Sequence, residues 1–192
     1  MNKNTLYAVI VFVVAVVIGF TTIKTRLTNT VNPTSAISGK NCLADDCLMV
    51  DGLEYPVGTL PSDVKLALDT ALDDEYKAYS TYQAIIDHLG SARPFPMIIG
   101  AEESHIAQLK SIYLKYGETP ISNQYLGKIT SPSTLAESCV AGVDAEIANG
   151  DLYKTRLLPV VAQYPDISQV FTNLMYASLQ KHLPAFERCS MR

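Results

Sequence analysis

The sequence predicts an all-α protein in which two antiparallel helical hairpins form a four-helix bundle behind one apolar N-terminal segment. Three observations support this fold. From Pro61 onward, apolar residues recur at spacings of three and four, the period of an amphipathic helix. The connections after the first and third helices are short, whereas residues 118–133 can cross the bundle. Residues 6–23 contain no charged residue.

Composition excludes nucleic acid from the expected partners. The 192 residues include 15 Lys and Arg against 19 Asp and Glu, a net charge of -4, so no basic surface is indicated. The length suits one domain with a tail. We therefore divide the chain into an N-terminal membrane anchor at 1–23, an extracytoplasmic linker at 24–61 and a helical bundle at 62–192.

The apolar run at 6–23 is about long enough to cross the hydrocarbon core of a membrane as a helix. A cleaved signal peptide is the alternative, but the run is long for a signal core and no clear cleavage site follows. Lys3 precedes the run, and Lys24 and Arg26 follow it, so flanking charges do not fix its orientation. We expect an uncleaved anchor that joins the protein to the membrane.

Start and stop signals bound the four expected helices. Gly90 and Gly117 end the first two, and T-L-A-E from Thr134 has the form of a capping box. Pro159 is expected to kink the third helix near its end. The four helices are predicted at about 62–89, 94–116, 134–162 and 166–188.

Every predicted helix carries a polar residue where its apolar period places the core. For any one of them, a half-buried position at the edge of the apolar stripe is the simple explanation, because an unpaired buried carboxylate costs free energy. Taken together, they lie at similar heights in the two hairpins. Glutamates and histidines at one level favour a divalent metal site. The residues are Glu75, Glu102, His105, Glu146 and His182.

Several stretches of the chain resemble the ferritin-like superfamily, and within it an uncharacterised ferritin-like domain family of bacteria and archaea. The resemblance implies a centre that holds one or two iron ions, with another divalent metal as the alternative. In that superfamily, two helices each supply one Glu and the other two each supply Glu-x-x-His. The stretches are DEYKAY (74–79), PF (94–95), AEESH (101–105), CVAGVDAEIANGDLY (139–153) and HLPAFERC (182–189).

The last Glu-x-x-His motif is incomplete. Its histidine matches His182, but Leu179 stands where the glutamate is expected. The resemblance then implies that one iron loses a terminal carboxylate, and that the centre holds one metal, holds two unequally, or uses a substitute ligand. Two tyrosines, Tyr79 and Tyr153, follow Glu75 and Glu146 by one and two helical turns. They could hydrogen-bond ligand carboxylates, although core tyrosines with satisfied hydroxyls are commoner.

The four cysteines favour an oxidising compartment. Cys139 and Cys189 fall at the same height of the second hairpin, which predicts a disulfide, with buried free thiols as the alternative. Cys42 and Cys47 are expected to form a small local disulfide, since no second pair or nearby histidine completes a zinc site. Disulfides persist outside the cytoplasm. We therefore expect the bundle in the periplasm or at the cell surface.

These features predict a membrane-anchored metal-binding protein with iron-dependent activity toward oxygen or peroxide. Glu102 or Glu146 would bridge two metal ions. The alternative is a non-catalytic accessory or structural subunit of a membrane or cell-surface complex, with an incomplete metal site. Metal capture or transfer without redox change is a third hypothesis, which the sequence does not separate from the first.

Overall fold

The computed structural model describes residues 58–192, which form a bundle of four helices without a β-strand among them. The expected anchor at 1–23, most of the linker and the Cys42–Cys47 pair lie outside the described residues. Within 58–192, no helix has the length and apolar character needed to cross a membrane. The prediction of an all-α bundle is thus confirmed for the described part of the chain.

Two of the bundle helices are α-helical throughout and two contain a π-helical turn. The third is built from α3, π1 and α4, and the fourth from α5, π2 and α6. Helix α1 packs against α2, and α3 packs against α6, which gives two helical hairpins. The bounds are α1 Ser62–Leu89, α2 Phe95–Lys115, α3 Leu135–Leu152, π1 Tyr153–Leu157, α4 Leu158–Val160, α5 Pro165–Ala177, π2 Ser178–His182 and α6 Leu183–Ser190.

The predicted helix ends are confirmed by local geometry. Gly90 follows α1 with φ of 80° and Gly117 follows α2 with φ of 68°, values that glycine adopts without steric cost. At the start of α3, the Thr134 hydroxyl accepts a hydrogen bond from the Glu137 amide at 3.2 Å. The Glu137 carboxylate in turn accepts from the Thr134 amide at 3.1 Å, which completes the capping box.

A π turn lies just before Pro159, the residue predicted to kink the third helix. In each turn an amide donates to the carbonyl five residues back instead of four. Both turns end two residues before a proline, Pro159 for π1 and Pro184 for π2. In a regular α-helix, a proline ring clashes with the carbonyl group four residues earlier. A wider turn just before the proline relieves that clash and keeps the helix continuous.

Buried apolar side chains lie on both sides of the level where the helices carry polar residues. One cluster includes Leu68, Tyr113 and Phe171. The other, toward the opposite end, contains Tyr82, Phe95 and Phe186, whose ring centroids lie 5.2 to 5.8 Å apart pairwise. These clusters keep the polar level between them away from the ends of the bundle.

A disulfide closes the open end of the second hairpin. Cys139 of α3 and Cys189 of α6 are bonded, with a sequence separation of 50 and 5.6 Å between their Cα atoms. Both cysteines are buried within the smaller apolar cluster. The predicted pairing of these two cysteines is therefore confirmed.

Two glycines let α3 approach the fourth helix closely. A Cβ atom at Gly142 would lie 2.6 Å from the Phe186 ring, which is fully buried and cannot move aside. A Cβ atom at Gly150 would overlap the Leu179 side chain. The close contact at Gly150 determines where Leu179 can lie, and this bears on the polar site.

Candidate metal centre

The structure brings the five predicted ligands together in the middle of the bundle. All are buried: their exposed fractions are between 1% and 6%. Two groups of three side chains each place their ligand atoms within 4.8 Å of one another. One group is Glu75, Glu102 and His105, and the other is Glu102, Glu146 and His182. We call them the Glu75 half and the Glu146 half of the centre.

Glu102 belongs to both halves. Its Oε2 lies 3.1 Å from His105 Nδ1, and its Oε1 lies 3.2 Å from His182 Nδ1. The two imidazole rings are nearly parallel, with centroids 5.6 Å apart. Glu102 therefore has one oxygen directed to each half, the geometry of a bridging carboxylate. Sequence analysis allowed Glu102 or Glu146 as the bridge, and the contacts favour Glu102.

Each half also has a carboxylate of its own. Glu75 Oε2 lies 3.1 Å from His105 Nδ1, and Glu146 Oε2 lies 3.5 Å from His182 Nδ1. The halves thus have the same composition: one histidine, one private glutamate and the shared Glu102. The expectation that Leu179 leaves one metal short of a terminal carboxylate stays a prediction.

Leu179 does not point to the centre in place of a glutamate. It is half-buried and packs on Gly150 of α3. Because π2 carries five-residue hydrogen bonding, positions before His182 are rotated relative to a regular α-helix. Ser178 is buried instead, and its hydroxyl donates to Asn149 Oδ1 at 2.7 Å. The position that lacks the glutamate therefore lies within a π turn, and residue spacing alone does not reveal that turn.

A buried tyrosine donates to each private glutamate. The Tyr153 hydroxyl donates to Glu75 Oε1 at 2.9 Å, and the Tyr82 hydroxyl donates to Glu146 Oε1 at 2.7 Å. Tyr153 contacts a ligand carboxylate as predicted. Tyr79, the other predicted tyrosine, is half-buried and packs against the larger apolar cluster.

Tyr82 is the residue contacting the centre that sequence reasoning missed. The available signal is its spacing: Tyr82 follows Glu75 by seven residues, and Tyr153 follows Glu146 by the same number. Residues seven apart share one face of an α-helix. Each tyrosine nevertheless donates to the glutamate of the other helix. The hydrogen bonds therefore tie α1 and α3 together across the centre.

Protons hold the charges of the metal-free centre in balance. Burial alone would raise the pKa of Glu102, but His105 and His182 overcome this effect and hold it well below its usual range. Burial would lower the pKa of His105, whereas hydrogen bonds to Glu102 and Glu75 raise it to about 10. For His182, burial would again lower the pKa, but the nearby carboxylates of Glu102 and Glu146 raise it to about 9.

Glu75 holds a proton for a different reason. Burial, followed by the charge of Glu102, raises the pKa of Glu75 to about 8. The metal-free centre is therefore protonated on its histidines and on Glu75 at neutral pH. A divalent cation would displace these protons, since metal ligands must be deprotonated.

The donor set fits a divalent metal. His182 Nδ1 is buried and, although it lies near two carboxylates, has no hydrogen-bond partner among the described residues. A buried polar atom without a partner is costly, and metal coordination would satisfy it. Imidazole and carboxylate together suit iron, zinc and manganese more than copper(I), which prefers sulfur. Each half offers three side chains, which leaves coordination positions for water or a small substrate.

A cavity of about 100 Å³ lies between α1 and α3 beside the centre. Glu102 and Glu146 line its inner part, and Asp74 and Lys77 of α1 line it farther out. The Asp74 carboxylate accepts a hydrogen bond from Asn149 Nδ2 at 2.7 Å. Burial raises the pKa of Asp74, and the hydrogen bond from Asn149 opposes that rise.

Comparisons with protein-family models, curated proteins and solved structures give no match to this chain. The interpretation of the centre accordingly rests on its donor atoms, their distances and their burial. All five predicted ligands lie in these two groups, and Glu102 lies in both. Their role as metal ligands stays a prediction.

Proposed function

We propose that this protein is a ferritin-like metal-binding protein whose centre holds two divalent ions, bridged by Glu102. The observation that carries the proposal is that two buried triads share one glutamate. A shared carboxylate with an oxygen toward each histidine serves no evident purpose in packing, because an apolar side chain would fill the same space at lower cost. It does suit two cations that need one anion between them.

Iron is the metal we favour. His105 and Glu75 would hold one ion, His182 and Glu146 would hold the other, and Glu102 would contact both. Iron bound with open coordination positions supplies electrons to oxygen or peroxide. The chain's own contribution is to fix the private glutamates through Tyr82 and Tyr153 and to surround the centre with apolar side chains.

We further propose that the bundle works outside the cytoplasm, tethered to a membrane by residues 6–23. Two features support this location. The Cys139–Cys189 disulfide is of the kind that persists in oxidising compartments. The 6–23 segment is about as long and as apolar as a membrane-spanning helix must be. Subunits of a membrane complex are the partners that such a tether would bring close.

A second function is a non-catalytic accessory subunit of such a complex. The observation that favours it is the charge balance of the metal-free centre, in which protonated histidines already pair with the glutamates. A bundle with that balance can fold without metal. In this case the glutamates and histidines would stabilise the bundle and the centre would have no reaction to carry out.

Metal stoichiometry and reactivity separate the two functions. Full-length protein is loaded anaerobically with Fe(II), analysed for iron, and then mixed with oxygen or hydrogen peroxide while absorbance is followed. We expect two irons per chain and a rapid absorbance change. A folded protein that retains no iron would refute the proposed function and support the accessory role.

A pair of neighbouring variants provides the control. Glu102→Gln removes the shared charge and should weaken the binding of both irons. Glu103→Gln makes the same chemical change on the next residue of α2, which is exposed, and should bind iron like the unmodified protein. Equal iron binding by the two variants would contradict the bridging role of Glu102.

A further inference from the structure

The two halves of the centre differ in their access to solvent. Of the five centre residues, only Glu102 and Glu146 line the cavity between α1 and α3. The cavity's outer lining includes Lys77, Ala145 and Ala148, whose side chains are exposed. The cavity therefore leads from the bundle surface to the Glu146 half, while Glu75 and His105 lie behind Glu102.

The charges along this cavity favour a cation. Asp74, Glu102 and Glu146 contribute three carboxylates, and Lys77 contributes one ammonium group. A cleft lined mostly by one sign of charge raises the local concentration of ions of the opposite sign. Close to both inner carboxylates lies His182 Nδ1, a buried atom without a hydrogen-bond partner among the described residues, 3.2 Å from Glu102 and 3.5 Å from Glu146.

Asp74 is held in place partway along the cavity. Asn149 donates to its carboxylate at 2.7 Å, and Ser178 donates to Asn149 at 2.7 Å. This chain of hydrogen bonds joins α1, α3 and π2 and fixes the direction of the carboxylate. The volume of about 100 Å³ corresponds to about three water molecules at about 30 Å³ each. That space suits a partly hydrated ion.

We propose that this cavity is the path by which divalent metal ions reach the centre, and that Asp74 receives them on the way. The Glu146 half is then filled first and exchanges its metal faster, and the ion of the Glu75 half passes Glu102 in a second step. This inference rests on the proposed function, since it assigns a route to ions that the centre binds.

The rate of cobalt binding tests the path. Co(II), whose visible absorbance changes on coordination, is mixed with full-length metal-free protein in a stopped-flow instrument at low ionic strength. Asp74→Asn keeps the acceptor for Asn149 but removes the charge, and should slow the fast phase about three- to tenfold. Lys77→Gln should accelerate it by a similar factor. Both effects should shrink as salt is added.

A matched control separates local from general charge effects. Asp144→Asn removes one negative charge from an exposed residue of α3 outside the cavity lining, and its binding rate should stay within about twofold of the unmodified protein. Ala148→Phe adds an aromatic ring at an exposed lining residue and should slow both phases while the equilibrium stoichiometry stays at two. Circular dichroism of each variant confirms that the bundle is folded.

The order of filling is tested in the same instrument. Glu146→Gln should abolish the fast phase, and Glu75→Gln should abolish the slow one. The proposed path is wrong if Asp74→Asn, Lys77→Gln and Asp144→Asn all bind two cobalt ions at the same rates as one another. The metal-binding function would still stand in that case. A lower stoichiometry in Asp74→Asn, with an unchanged rate, would also overturn the path. Absence of cobalt binding by the unmodified protein would overturn both proposals.

Discussion

Removing one tyrosine hydroxyl should weaken one half of the centre and leave the other intact. Tyr82→Phe deletes the 2.7 Å hydrogen bond to Glu146, and Tyr153→Phe deletes the 2.9 Å hydrogen bond to Glu75. Burial, the largest influence on each hydroxyl, raises the pKa of both tyrosines well above the usual value. Both therefore remain hydrogen-bond donors at neutral pH.

Two independent routes give the same magnitude. A hydrogen bond to a charged group contributes about 1.5–3 kcal/mol. Loss of a residue that orients a metal ligand costs about 10- to 100-fold in metal affinity, which is about 1.4–2.7 kcal/mol at 1.36 kcal/mol per factor of ten. We therefore expect Tyr82→Phe to weaken binding in the Glu146 half by about 10- to 100-fold.

Anaerobic calorimetric titration with Co(II) measures both binding steps in each variant. Tyr82→Phe and Tyr153→Phe should each retain one step at its original affinity and weaken the other. Tyr79→Phe is the control, since Tyr79 packs against apolar residues and should change neither step. Weakening of both steps by either variant, or of neither by both, would refute the assignment of one tyrosine to each half.

Three further predictions concern stability. Replacing Cys139 and Cys189 together by serine should lower the free energy of unfolding by about 4 kcal/mol, the chain-entropy value for a loop of 50 residues; in denaturant titration, a loss below about 1 kcal/mol would contradict this reasoning. Gly142→Ala places a methyl group against a fully buried aromatic ring and should cost about 1–3 kcal/mol, so an unchanged or higher melting temperature would count against the packing. Metal-free protein should lose stability as pH rises from about 4.5 to about 10. Glu75, whose pKa is raised from 4.5 to about 8, binds more protons folded than unfolded in the lower part of that range, and His105, whose pKa is raised from 6.5 to about 10, does so in the upper part. Denaturation across pH checks the sign, and a metal-free protein that gains stability throughout this range would show the reasoning to be wrong.

Much of the fold could be predicted because its signals are local. The capping box at Thr134 and the glycines after α1 and α2 mark helix ends through contacts within a few residues. The Cys139–Cys189 disulfide followed from counting residues from the turn of one hairpin, since both helices rise by the same distance per residue. Neither inference needed knowledge of how the two hairpins pack together.

The buried polar cluster was predictable for a related reason. Glu75, Glu102, His105, Glu146 and His182 each interrupt an apolar stripe, so the period that identifies a core-facing position also identifies the polar residue within it. The structure buries all five and places each in a triad. The identity of the metal, the membrane anchor and any reaction stay predictions.

The sequence by itself determined the height of each polar residue along its helix, because the rise per residue is a property of a single helix. Tertiary structure alone decided that Glu102 joins the halves, that Tyr82 and Tyr153 each donate to the glutamate of the opposite helix, and that Leu179 packs on Gly150. These features depend on the rotation of one helix against another. The π turn at Ser178–His182 changes that rotation without altering the residue count, so spacing in the sequence cannot reveal it.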